Sequence, residues 1–496
     1  MVLVLSVFTA CKKEELNITP ISTGTTENFY QTENDFIQAS NAIYNSLRTY
    51  PDRLINLSET RSDNLYAASV LITQPYDPIN AFRTDVVGSN YILNAWNENF
   101  NSIFRANILL EKLEQNGDVI KNATLKARLA AEARFLRAFF YFDLVRYFGK
   151  VPLTTKTVSP REAESIPRSP VADVYKVIIE DLQHAITVLP PSYVTTNVGR
   201  ATKYAAQSLL ALVYMTRSGP TYGIEGPGLG LNEWNLALPL LNEVIDSKQF
   251  AVSGNYAGIF SHTNQNPTVN KEAIFSVMYI SGLNNPVLGA SFVSLTVPDA
   301  YFTTVLGKPA QLGGAGRPTS YDLYNSYENT DERKTFSYIL HMSPLGIPGN
   351  RPFVKKYLDP TKVPVLINDW GINFIAIRYS DVLMMKAECI LKGAPGSQTD
   401  VDGIVNQIRL RSNASAMTNV TIDQLYAERR REFSGEGSRW FDLQRSGNLL
   451  TTMSAWITAY DELKQIQPIE ANWIIYPVPQ SQMDVKPGLY SQNLGY

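Results

Sequence analysis

Three histidines, two cysteines and a scatter of loop carboxylates are the residues of this chain whose types could carry chemistry. His184, His262 and His341 lie far apart, and none stands in HExxH or H-x₃-H spacing, so the histidines build no metal centre. Cys11 and Cys389 exclude a disulfide framework and a cysteine-rich zinc or iron–sulfur site. Cys389 falls in an apolar helical stretch, where a thiol is expected to be buried and inert. No G-x-S-x-G nucleophile elbow and no phosphate-binding P-loop occurs. The glycines of Gly226-Pro227-Gly228-Leu229-Gly230 follow no convincing strand, and Pro227 removes a backbone donor, so this segment is read as a loop. Asp63, Asp77 and Asp85 share a loop-rich stretch. They keep a glycosidase-type carboxylate pair open, because such acids have no fixed sequence spacing. No metal and no cofactor is expected.

Binding, as distinct from catalysis, has more support. The chain has 496 residues, 44% of them hydrophobic, enough for a large core. Charged residues are only 18%, and Lys+Arg 44 against Asp+Glu 46 leaves a net charge of −2. No global field draws in nucleic acid or an anionic membrane. Aromatics reach 11%, with 27 Tyr, which suits neutral hydroxylated ligands. Sugar recognition needs flat rings for C–H faces, with Asn, Asp or Arg beside them for the hydroxyls. Residues 59–66 combine these types, making Arg61, Asp63, Asn64 and Tyr66 the leading ligand-binding candidates. Tyr76, Tyr91, Tyr279, Asn284 and Trp370 form a second set. Arg429-Arg430-Arg431 is flanked by Glu428, Glu432 and Glu436, a pattern that predicts ion pairs, not a nucleic-acid patch. Arg439-Trp440-Phe441-Asp442 predicts a buried lock of Arg–carboxylate and cation–π contacts.

The first ten residues, MVLVLSVFTA, are apolar and end at Cys11. They are too few for a membrane span, which needs ~20, and match a signal-peptide apolar region. Thr9-Ala10-Cys11 resembles a bacterial lipobox, so Cys11 is expected to become a lipid-bearing N-terminus after cleavage. Residues 1–10 are then the signal peptide and 11–28 a polar leader from the lipidated cysteine. Residues 29–496 are expected to form one domain.

Positioning falls to helices. Amphipathic periodicity predicts helices over 34–48, 96–115, 123–148, 171–189, 202–217 and 234–247, with Pro239 an awkward guest in the last. Residues 123–148 carry two apolar stripes, the mark of a helix buried between neighbours. Ser169-Pro170 predicts an N-cap followed by proline in the first turn. Helices are expected again over 373–392, 401–411 and 421–433. The scaffold is thus mainly 34–58, 96–250 and 373–447, and the loop-rich regions are 59–95 and 251–372, where long loops are usually functional. Helices paired across short turns suggest tetratricopeptide-like hairpins, in a mainly α fold.

Six segments in order resemble the SusD/RagB family of Bacteroidetes outer-membrane lipoproteins. Trp96 to Leu110 is similar to the family's W-x₃-[YF]-x₂-I-x₃-N-x₂-L helix, and AEARFLRAFFYFDLVRYFGKVPL (Ala131 to Leu153) to its most recognisable signature. ATKYAAQSLLALVYM (Ala201 to Met215) and FIAIRYSDVLMMKAE (Phe374 to Glu388) resemble two further helices. ERRREFSGEGSRWFDLQRSG (Glu428 to Gly447) resembles the E-R-x-x-E-x-x-x-E-G-x-R-[WF]-x-D-L pattern. YPVPQSQMDVKPGLYSQNLGY resembles the family's C-terminal close, departing at Met483 and Leu494. The resemblance implies a SusD-like helical scaffold with a loop-borne ligand face, in which the loop after the first helix often serves the site. It implies a non-catalytic lipoprotein at the outer membrane. Such a protein captures a glycan, or in some branches a peptide, and passes it to a SusC-like TonB-dependent transporter.

Overall fold

The computed structural model describes residues 29–67, 73–283, 287–309, 316–340 and 351–496. Cys11, the leader, Asn284 and His341 lie outside the described residues. The scaffold is helical: α1 (Glu33–Asn45), α2 (Asn90–Gln115), α3 (Ala123–Phe148), α4 (Val171–Val188), α5 (Lys203–Arg217) and α6 (Trp234–Asp246), then α7 (Tyr379–Leu391), α8 (Gln398–Arg411), α9 (Ile422–Glu432), α10 (Arg439–Ser446) and α11 (Leu449–Tyr460). Chain neighbours pack on one another, α2 on α3, α3 on α4, α4 on α5 and α5 on α6, and α7 closes onto α6. Such hairpins form the tetratricopeptide-like scaffold that the periodicity predicts.

Local chemistry sets most helix ends. Asn122 and Thr202 cap α3 and α5 by accepting from the Leu125 and Ala205 amides. Ser397 with Asp400, and Thr421 with Gln424, form capping boxes on α8 and α9. One expected cap is different. Pro170, not Ser169, precedes α4, and the Glu225 carboxylate accepts from the Val171 amide at 3.2 Å. Ser169 is drawn instead into a two-residue strand against Val151–Pro152. α6 runs through Pro239.

α3 is the hub. Phe135, Phe139, Phe140 and Phe142 are all buried, so both apolar stripes are used. Each such ring is worth roughly 1.5–3 kcal/mol of burial. Phe135 and Phe139 meet Phe275 at 5.1 and 6.1 Å between ring centroids, which welds the scaffold to the inserted region. Phe275 belongs to β1 (Ala273–Val277), which pairs antiparallel with β4 (Phe374–Arg378). A second small pair joins β2 (Tyr338–Ile339) to β3 (Phe353–Val354). The helix expected from residue 373 therefore starts later, at Tyr379. FIAIR is apolar and β-branched, and it finds a strand partner more than ninety positions back in the chain, with Val277 opposite Phe374.

Candidate functional site

The loop after the first helices begins with a π-helical segment, Ile55–Glu59, an uncommon geometry that accompanies functional regions. The rest of this loop is tied down from behind by the Glu428–Asp442 segment. The Glu59 carboxylate accepts from the amides of Gly435 (2.6 Å) and Gly437 (3.2 Å) and from the Asn64 side chain (2.9 Å). Both glycines have left-handed φ, +75° and +80°, which aims their N–H groups at one carboxylate. Burial pushes the Glu59 carboxyl up, and these N–H donors oppose it. Arg439 grips Asp63 at 2.7 and 2.8 Å, and Arg430 stands 3.2 Å away. Burial acts upward on Asp63, but the two guanidiniums outweigh it and hold the carboxyl below its ordinary value. Arg430 also donates to the Asn64 side-chain oxygen at 2.9 Å.

Arg61 lies among three rings, its guanidinium 4.2 Å from the Tyr476 centroid, 4.8 Å from Phe82 and 5.3 Å from Trp440. It donates to the carbonyl of Trp473 at 2.5 Å. The Tyr66 hydroxyl donates to Asp461 and accepts from the Leu463 amide, both at 2.9 Å. Arg61, Asp63, Asn64 and Tyr66 are each no more than 1% exposed. This corrects the sequence expectation: the four leading candidates do not face a ligand. Asp63, Asn64 and Tyr66 spend their polar groups on fixing the loop, largely to the C-terminal third of the chain. Arg61 does so through Nη2 and its ring contacts, while its Nε and Nη1 are buried without a hydrogen-bond partner among the described residues.

The fixed loop in turn organises its neighbours. Leu65 bridges Thr319, the Tyr66 amide donates to the Pro318 carbonyl at 2.9 Å, and the Thr319 amide donates to the Pro352 carbonyl at 2.7 Å. Three chain segments are thereby laced together at one place. Beside them lies an open groove of about 280 Å³. Thr73, Asp77, Asn80 and Arg83 form one wall, and Lys464, Gln465 and Gln467 the other. The Asn80 amide donates to the Thr60 carbonyl at 2.8 Å, and the Gln467 amide to that of Ala81 at 3.0 Å, so both walls hang on the same frame. Asp77 accepts from the Gln74 amide at 2.8 Å through one oxygen, while the other is buried without a partner. Burial raises its carboxyl, and the Gln74 amide and Arg83 pull it back.

The buried Asn80 side chain is spent on the Thr60 and Leu65 carbonyls and the Ala67 amide. Chemically the groove offers an acceptor in Asp77, two cations in Arg83 and Lys464 and the side-chain amides of Gln465 and Gln467. That is what vicinal hydroxyls require. Its volume is near the lower end of the ~300–1,000 Å³ of small-molecule sites.

The second set of candidates is dispersed. Tyr76 is buried with its hydroxyl on the Gly316 carbonyl at 2.9 Å and Arg317 over its ring at 4.5 Å. Tyr279 is buried and donates to the Arg48 carbonyl at 2.6 Å. Trp370 is fully buried, its indole N–H on the Ser294 hydroxyl at 3.3 Å. These three also serve packing, not a ligand. Tyr91 is half-buried in the first turn of α2 and is the ring of this set that keeps solvent access among the described residues. Of the carboxylates, Asp63 is locked by arginines, Asp77 lines the groove, and Asp85 is exposed and paired with Arg83. Sequence reasoning missed the groove residues Arg83, Lys464, Gln465 and Gln467. The polar run Lys464 to Gln467 after α11 was the available signal.

Residues 21–215 match a family model described as SusD-like, starch-binding associating with outer membrane, and residues 348–496 match the SusD family model. A SusD-like protein from Bacteroides ovatus is 25% identical, over 88% of this chain and 80% of its own. SusD-like protein P25 from Formosa agariphila is 24% identical, over 95% of this chain and 94% of its own. Among solved structures, surface glycan-binding protein A from Bacteroides thetaiotaomicron in complex with laminarihexaose superposes with a TM-score of 0.77. It shares 21% identity over 93% of this chain and 100% of its own. A laminarin binding SusD-like protein gives 0.76 at 24% identity, over 94% and 100%. At these identities the solved structures establish a common fold.

Proposed function

Because the chain belongs to the SusD/RagB family, we propose that it is a non-catalytic glycan-binding protein that takes an oligo- or polysaccharide at the loop face and delivers it to a SusC-like TonB-dependent outer-membrane transporter. Lipidation at Cys11 holds it on the cell surface. The observation that carries the reading is the groove of Asp77, Arg83, Lys464, Gln465 and Gln467, whose donors and acceptors match a row of hydroxyls. The solved laminarihexaose complex and the laminarin-binding relative support glycan as the ligand class. Tyr91 remains a candidate ring for the sugar's C–H face, and Asn284, outside the described residues, stays in the proposal. No helix of the described residues is long and apolar enough to cross a membrane.

Affinity gels loaded with plant, host and microbial polysaccharides test the reading. Retardation by at least one glycan is expected, and Arg83→Ala should weaken it about tenfold through lost charge-assisted hydrogen bonds. Retention of peptides with no glycan retarded, or release of reducing ends from a bound polymer, would replace the proposal. For the anchor, Cys11→Ala should move the protein from the membrane fraction to the soluble one. Continued sedimentation with membranes would refute lipidation.

A further inference from the structure

Away from the loop face, on the side of α5 and β1, lies a second and larger cleft of about 410 Å³. One wall is the chain from Pro191 to Thr202, the other the chain from Pro267 to Lys271, and residues Ala273 to Ser276 of β1 form the floor. β1 pairs with β4 on one edge only, so no strand covers this side of it among the described residues. Tyr193 is half-buried and lines the cleft, and Val194 beside it is 74% exposed. Arg128 sits over the Tyr193 ring at 5.8 Å and fixes its plane. Phe250, also lining, is held by Tyr204 and Tyr379, at 5.8 and 6.3 Å between ring centroids. The cleft therefore offers rigid apolar and aromatic surface that is not covered.

Its charge is one-sided. Arg200, Lys248 and Lys271 line it, and no Asp or Glu does. Arg200 is already matched by Glu132 at 2.9 Å. Lys248 and Lys271 are exposed and form no ion pair among the described residues. The buried acids behind the cleft already have partners, Glu132 in Arg200 of the cleft wall and Glu272 in Arg411 at 3.1 Å. The Ala251 amide donates to the Lys271 carbonyl at 3.1 Å, which brings the two lysine-bearing segments alongside each other. Lys248 has a left-handed φ of +56°, an unfavourable geometry for a side-chain-bearing residue. A net charge of −2 for the whole chain makes an acid-free pair of ammoniums a local departure.

We propose that this cleft is a second saccharide site that takes an acidic sugar, one bearing a uronate carboxylate or a sulfate ester. The C–H face of the ring rests on Tyr193 and the anionic group lies between Lys248 and Lys271. The polar rim of Gln249, Thr202 and Thr268 meets the remaining hydroxyls. The proposal rests on the reading of the protein as a glycan binder, and it adds a ligand class that the first groove, with Asp77 in its wall, does not select.

The probes are a galacturonate trisaccharide and its methyl ester, and a sulfated dextran oligomer with plain dextran beside it. Calorimetry on the full chain should show binding of at least one acidic member and weaker binding of its neutral counterpart, with affinity falling as salt rises. Lys248→Ala/Lys271→Ala should cost about tenfold or more in that affinity and leave the melting temperature and retention on neutral polysaccharide gels unchanged. Which acidic probe binds separates carboxylate from sulfate recognition. Tyr193→Ala should also weaken binding while keeping the salt dependence. If Tyr193→Ala has no effect, the cleft is a bare anion site and the saccharide claim falls. If no acidic probe binds, or the double variant binds it as before, the second site is refuted. Neutral glycans still retained in that case would leave the proposed function standing, and loss of all saccharide binding would remove both.

Discussion

Asp63 shows what a polar loop residue can be for. Both of its oxygens are held by Arg439, with Arg430 adjacent; Asp63 and Arg439 are buried and Arg430 is partly buried. Replacing Asp63 with Ala leaves the buried Arg439 guanidinium without its carboxylate, while Arg430 keeps Asp322 at 2.6 Å, and this should cost about 3 kcal/mol of stability. Thermal melting checks this, and a melting temperature unchanged from the parent would contradict it. Arg83→Ala is the opposite case. Arg83 is exposed and its partner Asp85 is too, so stability should stay within about 0.5 kcal/mol while glycan retention falls. Composition correctly marked residues 59–66 as a loop of sugar-compatible types. It could not tell a residue that touches ligand from one that supports the loop, because that depends on arginines about 370 positions later, and their separation in sequence (376 residues from Asp63 to Arg439) carries no local signal.

At the scale of elements, periodicity was informative wherever one face of a helix meets the core. The 123–148 reading coincides with α3, and α5 begins one residue later than expected. It failed at Phe374–Arg378, where four apolar residues before Arg378 suit either a buried helix or a buried strand, and the choice was made by the distant pairing with β1. The turn before α10 illustrates a different kind of information. Gly435 and Gly437 are needed for their backbone, since left-handed φ turns both amides onto Glu59. A Cβ on Gly437 would stand 2.4 Å from the Leu54 side chain. Gly437→Ala therefore combines backbone strain of about 1–2 kcal/mol with overpacking of about 1–3 kcal/mol, and it displaces one donor from a buried carboxylate. The urea midpoint of this variant should fall well below that of an Ala substitution at Gly230. Gly230 also has positive φ, but nothing lies near its Cβ. Equal midpoints would show that the amide–Glu59 contact and the packing on Leu54 do not matter.

Across the whole molecule, buried ion pairs join parts that no sheet connects. Arg333 reaches Asp331, Glu428 and Glu432 at 2.7, 2.7 and 3.0 Å, and Arg378 reaches Glu432 at 3.0 Å and Glu436 at 2.9 Å. Arg429 and Arg445 both hold Asp442, and Arg445 also holds Glu388. The inserted region, α7 and the last helices are thus clamped through carboxylates, and these clamps set the chain's acid response. For Glu428, burial raises the carboxyl but Arg333, Arg431 and Arg409 outweigh it and bring it down to about 2. Asp442, Asp63 and Glu432 are likewise lowered by their arginines against burial. A carboxyl whose folded value lies below its unfolded one binds fewer protons when folded. Its contribution is fully present above the unfolded value, 4.5 for Glu428, and is lost as pH falls from there toward about 2. Asp52 has the reverse sign. Burial raises it from 3.8 to about 6, partly offset by the Ser291 hydroxyl, so it costs stability progressively as pH climbs between those two values and by a constant amount above them. The sum predicts steep loss of stability below about pH 4, a small opposing effect of Asp52 between about pH 4 and 6, and a nearly flat profile from about pH 6 to 8. Because the pairs are buried, added salt should shift that acid limb little. Urea midpoints recorded from pH 8 to pH 3 at low and high salt measure both statements. A flat profile down to pH 3 would mean that the buried carboxylates titrate as they do in the unfolded chain, and that the arginine clamps contribute nothing to holding the loop face on the scaffold.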